Sequence, residues 1–170
     1  MRHNLLIPLI TVTAVTLLAG SAHTPQPVPT AQVARTSPST FGVGGNGTPS
    51  PAGCHIVTPV QLPHLSGYER SRNNLMAVKG KGFAVCNQPV DELSLSVSLF
   101  DVGAHEEVYK GPAVSNKGQK ALSVQNAILP CANTDTTTYQ VGVLGTSYEH
   151  GQEYFQILFS GTQTVACGHA

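Results

Sequence analysis

The chain has 170 residues, with nine Lys and Arg against nine Asp and Glu, and only 11% of its residues are charged. Of the nine basic residues Arg2 lies in the leader, so the chain from His23 onward carries a net charge of −1 with histidines neutral. Near-neutrality with scattered lysines supplies no electrostatic footprint for nucleic acid or anionic lipid, and both are excluded as partners.

In chain order, the first segment is one fixed charge, Arg2, followed by an almost wholly apolar run over residues 5–19 and the small residues Gly20, Ser21 and Ala22. That is the three-part layout of an export signal. A bilayer crossing needs roughly 20 apolar residues, and this run is shorter and interrupted by Pro8. Residues 1–22 are therefore expected to be a cleaved signal peptide, with no stable membrane insertion of the mature chain. The stretch "LLAGS" is similar to a lipoprotein signal, but Ser21 stands where lipid attachment needs a cysteine, and the first cysteine is Cys54.

Residues 23–53, "HTPQPVPTAQVARTSPSTFGVGGNGTPSPAG", hold six of the twelve prolines, with Val28, Val33, Phe41 and Val43 as the only sizeable apolar side chains. Such a segment cannot recover its ordering entropy by burial, and it reads as a disordered Pro/Thr/Gly-rich linker. It could carry O-linked sugars on composition alone. The sequon Asn46-Gly47-Thr48 reads as coincidence.

Residues 54–170 have the size of one domain with one core. Helical periodicity is nearly absent, and period-two alternation bounded by turn residues recurs, predicting seven strands. They cover 55–62, 75–86, 92–102, 107–110, 121–129, 137–148 and 153–166. Seven short antiparallel strands at this spacing predict an all-β, immunoglobulin-like two-sheet sandwich.

Cys54, Cys86, Cys131 and Cys167 in an exported chain imply two disulfides. Antiparallel partners share a common midpoint, which selects among the three pairings. Cys54 and Cys86 are centred on residue 70, in the loop "HLSGYERSRN", and Cys131 and Cys167 on residue 149, beside the turn "EHGQ". Pairing Cys86 with Cys131 would centre inside the fourth strand. The preferred bridges are 54–86 and 131–167, each contributing roughly 3 to 4 kcal/mol by restricting the unfolded chain.

In "ELSLSVSLFDV", residues 92–102, alternation turns Leu93, Leu95, Val97 and Leu99 inward and Ser94, Ser96, Ser98 and Phe100 outward. The same reasoning on the last two strands puts Tyr139, Val141, Val143, Phe155, Ile157 and Phe159 inside. Gln140, Gly142, Leu144, Tyr154, Gln156, Leu158 and Ser160 are then expected outside. Strands three, six and seven are neighbours in an immunoglobulin-like sheet. Their outer face would be uncharged, with Phe100, Leu144, Tyr154, Gln156 and Leu158 as the candidate binding residues for a protein or glycan. The competing reading is a solvated sheet face whose serines only limit aggregation.

Chemistry is sparse. Asp101, His105, Glu106 and Glu107 cluster in "DVGAHEEVY" without a zinc or calcium spacing. Ser147, Glu149 and His150 share the final turn, but no Gly-x-Ser-x-Gly elbow accompanies them. His55 and His64 read as surface histidines. "VKGKGFAVC" lacks the phosphate-loop spacing, and Gly80 and Gly82 are expected to mark a bulge, which would explain why the apolar Phe83 and Val85 share parity with Lys79 and Lys81. No catalytic residue, metal or cofactor is assigned.

The order "FAVC…LSLSVSLF…C…YQVGVLGT…VAC", after a signal and a Pro-rich tether, resembles small exported β-rich proteins of unknown function common in actinobacteria. The resemblance covers residues 75–167, and Cys54 departs from it. It implies secretion and a disulfide-bonded sandwich and brings no catalytic residues. Small secreted protease inhibitors and antibiotic carriers are also twice-bridged, but their inhibitor loop and cysteine spacings are missing here. The expected function is a secreted or cell-surface, non-enzymatic interaction module. The alternative is a secreted hydrolase or metal-dependent enzyme using the 101–107 loop or His150.

Overall fold

The computed structural model describes residues 40–42 and 48–170. The expected signal peptide, the linker over residues 23–39 and 43–47, and most of the sequon lie outside the described residues.

Two antiparallel sheets face each other. The first has β3 (Ala77–Val85) at its centre, with β7 (Ala121–Pro130) on one side and the short strands β1 (His55–Ile56) and β2 (His64–Leu65) sharing the other. The second has the order β5-β4-β8-β9, built from β4 (Glu92–Asp101), β5 (Glu106–Lys110), β8 (Asn133–Glu149) and β9 (Gln152–Gly168). A further short strand, β6 (Val114–Lys117), also pairs with β4. The all-β two-sheet sandwich follows from the alternation: Leu93, Leu95, Val97, Leu99, Tyr139, Val141 and Val143 are all fully buried between the sheets.

Both bridges form in the expected pairing, Cys54–Cys86 and Cys131–Cys167, and none of the four cysteines is free. Register explains the first. His55 pairs with Val85 and Ile56 with Ala84, so Cys54 and Cys86 are the next opposed positions of the same ladder.

Four local expectations are corrected. The loop "HLSGYERSRN" contains β2 and a helix, α1 (Gly67–Asn73), opened by the Ser66 hydroxyl accepting from the Glu69 amide and closed by Asn74 in the left-handed conformation. Ser-x-x-Glu is the capping-box pattern, so this helix had a sequence signal.

The glycines of β3 are not bulged. Gly80 pairs with Ala127 and Gly82 with Val124, so the extra residue lies on β7 at Gln125 and Asn126. Gly80 and Gly82 share the inward parity of buried Val78 and Ala84, and a Cβ at Gly82 would lie 2.9 Å from both Val143 Cγ1 and Val97 Cγ2. The absence of side chains lets the two sheets approach.

The linker boundary at residue 53 also moves. Phe41 is fully buried and Ser50 and Ala52 are nearly so. Phe41 N donates to Cys54 O and Ser50 N to Phe41 O, both at 2.7 Å, while Gly42 exchanges two backbone bonds of 3.0 Å with Phe155 on β9. One aromatic ring able to fill a core gap outweighs the unfavourable composition around it.

The fourth correction, the facing of β9, bears directly on the candidate site.

Candidate functional site

The turn before β9 decides which of its side chains look outward. His150 and Gly151 both have positive φ, 53° and 82°, as in a two-residue hairpin turn whose twist matches the strands. Glu149 is thereby paired with Gln152, and the ladder continues through Val143 with Leu158 and Leu144 with Ile157. Directly opposed residues share a face. Val143 is inside, so Leu158 turns inward, while Leu144 and Ile157 turn out.

Of the five candidate binding residues, Phe100 and Leu144 therefore lie on the outer face and three do not. Tyr154 and Gln156 are buried, and Leu158 is half-buried against the core. Gln156 is used structurally: its Oε1 accepts from Ile56 N at 2.9 Å, tying β9 to β1 of the opposite sheet. Ser160, also expected outside, is buried; its hydroxyl accepts from Val141 N at 2.9 Å where the β8–β9 register shifts. In place of the three stand Ile157 and Phe159, exposed by 53% and 52% although expected inside.

The outer face is ordered in cross-strand rows. One runs Lys110, Ser98, Gly142, Phe159 and the next Ser96, Leu144, Ile157. Phe100 sits beside the first row. Its ring meets that of Phe159 edge to face, with centroids 5.5 Å apart and planes at 68°. They close over Gly142, where a Cβ would lie 2.7 Å from Phe100 Cε2 and 3.1 Å from Phe159 Cε1. The small residues Ser96 and Ser98 form the floor of the resulting groove, of about 210 Å³, with Phe100, Leu144, Ile157 and Phe159 as its apolar wall and Glu107 and Lys110 on its charged side. The serines of β4 thus hold open a depression that longer side chains would fill.

The other polar clusters do not converge on a reacting centre. Asp101 Oδ1 accepts from the amides of Gly103 and Ala104, closing the turn, while Oδ2 lies 2.8 Å from His169 Nε2. The His169 hydrogen bond holds Asp101 below the ordinary carboxylate pKa against the opposing effect of burial. The same bond raises His169 above the ordinary imidazole value. His105 is exposed within the turn and Glu106 and Glu107 are exposed on β5. At the other hairpin, the Ser147 hydroxyl donates to Glu149 at 2.8 Å, and both are buried. His150 takes part through its amide, which donates to Asp91 Oδ2 at 2.7 Å. His55 and His64 each place Nδ1 near the carbonyl two residues back, at 3.1 and 3.2 Å. Among the described residues no three His, Cys, Asp or Glu side chains gather as a metal ion would require, and no helix is long and apolar enough to cross a membrane.

No family model, curated protein or solved structure matches the chain.

Proposed function

We propose that the protein is an exported, non-enzymatic binding module with an immunoglobulin-like strand arrangement, and that it holds a protein partner on the outer face of the β5-β4-β8-β9 sheet. The reading rests on one observation: Ile157 and Phe159 are each more than half exposed and are contiguous with Phe100 and Leu144. Large apolar side chains gathered on one face and rimmed by polar groups mark an interaction surface, whereas isolated ones need no explanation. A protein surface suits the patch because its apolar centre, hydroxyl floor and charged border reproduce interface anatomy. The apolar leader and two formed disulfides support an oxidising compartment outside the cytoplasm. The order β4-β8-β9 supports the immunoglobulin-like reading.

The test is a photo-crosslinker placed at Phe159, with Thr162 as a neighbouring control, in living cells that export the full chain. A protein captured at Phe159 above the Thr162 level is then purified. Its affinity for the wild type should fall by about 100-fold with Phe159→Glu, as for loss of an interface anchor. No capture above the control, or unchanged affinity of Phe159→Glu, would overturn the reading.

A further inference from the structure

Beyond that face, a second concave site lies on the opposite sheet. Val57 N donates to Phe83 O at 2.8 Å, after which the chain bows away from β3 and returns to pair His64 with Lys79. The bow leaves a cleft of about 290 Å³ over β3, near the lower bound of roughly 300 Å³ usual for small-molecule sites. Lys81 and Phe83 form its floor, Pro59 and Gln61 one wall, and Ser123 and Gln125 of β7 the other. The Phe83 ring is 42% exposed. Gln125 stands at the β7 bulge, a device that re-aims a side chain.

We infer that this cleft is a binding site for an acidic saccharide, one carrying a carboxylate on a pyranose ring. Lys81 is the one charged side chain lining it, and no carboxylate accompanies it there. Among the described residues the ion pair present is His169–Asp101, which leaves the Lys81 ammonium to an incoming anion. Two amides and a hydroxyl offer both donors and acceptors, matching sugar hydroxyls, which are themselves both. An exposed aromatic ring takes the apolar C–H face of a pyranose. An extended peptide fits less well. Peptides recognised by sheets add main-chain bonds along an open edge. Here β7 covers one edge of β3, and on the other β1 pairs with Ala84 and Val85 and β2 with Val78 and Lys79, so the stretch left open is only Gly80–Gly82, too short to seat a strand.

The experiment is calorimetric titration of the full exported chain with short oligogalacturonate and hyaluronan fragments, using the methyl esters of both as uncharged counterparts. The wild type should bind at least one acid form, more weakly as sodium chloride is raised because Lys81 is partly exposed. Lys81→Gln should weaken that binding by about tenfold or more, the effect of losing a charge-assisted bond. Phe83→Ala should weaken it by about fivefold. Both side chains reach the surface, so both variants should keep the wild-type dichroism and disulfides. Phe159→Glu should bind the saccharide as the wild type does, which separates this site from the protein-binding face. Failure of both acid forms to bind, equal binding of the esters, wild-type affinity in Lys81→Gln, or loss of binding in Phe159→Glu would each overturn the assignment. So would equal affinity for a blocked peptide ending in a free carboxylate.

Discussion

The ring of Phe41 occupies the place where Gly145 of β8 has no side chain: a Cβ at Gly145 would overlap Phe41 Cζ and lie 2.9 Å from Cε1. The pair acts as one core residue supplied by two distant parts of the chain. Phe41→Ala should destabilise the domain by about 3–5 kcal/mol, the usual cost of emptying an aromatic core site. Gly145→Ala should cost about 1–3 kcal/mol in the wild type, through overpacking. In the Phe41→Ala background the added methyl enters vacated space and should cost less. Urea unfolding of the four proteins would give a coupling energy of about 1 kcal/mol or more, and strict additivity would contradict the packing.

Glu149 holds the same N-terminal segment by a different means. Its buried carboxylate accepts from the Ser50 hydroxyl at 2.5 Å, the Ala52 amide at 2.8 Å and the Ser147 hydroxyl at 2.8 Å. Replacing a carboxylate that satisfies three buried donors leaves some of them unpaired. Glu149→Ala should lower stability by about 3 kcal/mol. The amides of Ala52 and Gly42 should exchange faster, while those at the centre of β4 retain their order of protection. Hydrogen exchange read by mass spectrometry would show this pattern, and uniform loss of protection across the domain would count against a local clamp.

Gly82→Ala tests the close approach of the sheets. The new methyl would press on Val97 and Val143, neither of which has a flexible end to move aside. A loss of about 1–3 kcal/mol is expected in thermal or urea unfolding. Gly151→Ala meets no neighbour but must adopt a φ of 82°, so its penalty should come from the backbone alone, at about 1 kcal/mol.

The His169–Asp101 pair makes stability depend on pH in a definite direction. His169 is raised above its ordinary value of 6.5, so its contribution is complete below 6.5 and is lost as pH rises through the raised value. Asp101 is lowered from 3.8, so its contribution is complete above 3.8 and is lost as pH falls through the lowered value. The pair is fully effective between those ordinary values. Its side chains are 17% and 12% exposed, and the gain should be about 1 kcal/mol or less after solvent screening. Asp101→Asn keeps an oxygen for the Gly103 and Ala104 amides but removes the charge. The variant should lose less stability than the wild type when pH is raised from about 6 to about 9. Equal pH dependence of the two melting curves would argue against the linkage.

The facing of β9 shows how a strong local signal can mislead. Phe155, Ile157 and Phe159 alternate with Tyr154, Gln156 and Leu158, and hydrophobicity alone turns the first set inward. Register turns Ile157 and Phe159 outward instead, because cross-strand neighbours share a face and the His150–Gly151 turn fixes which residues are neighbours. The turn "EHGQ" was legible, and following its register from Val143 would have placed Leu158 inside. The apolar side chains that violate the pattern are the ones on which the binding surface rests. The cleft over β3 had no comparable trace, since Gln61, Lys81 and Gln125 are brought together by a bow in one segment and a bulge in another.

Sequence alone determined the layered β architecture and the Cys54–Cys86 pairing, because period-two alternation and the symmetry of antiparallel ladders are properties of local residue order. Cys131 and Cys167 pair outside the β8–β9 register, in which Asn133 opposes Gly168. Tertiary structure decided that Phe41 belongs to the core, that Ile157 and Phe159 do not, and that two unrelated segments wall a cleft over Phe83. Each of those outcomes depends on which distant surface offers room, register or a partner.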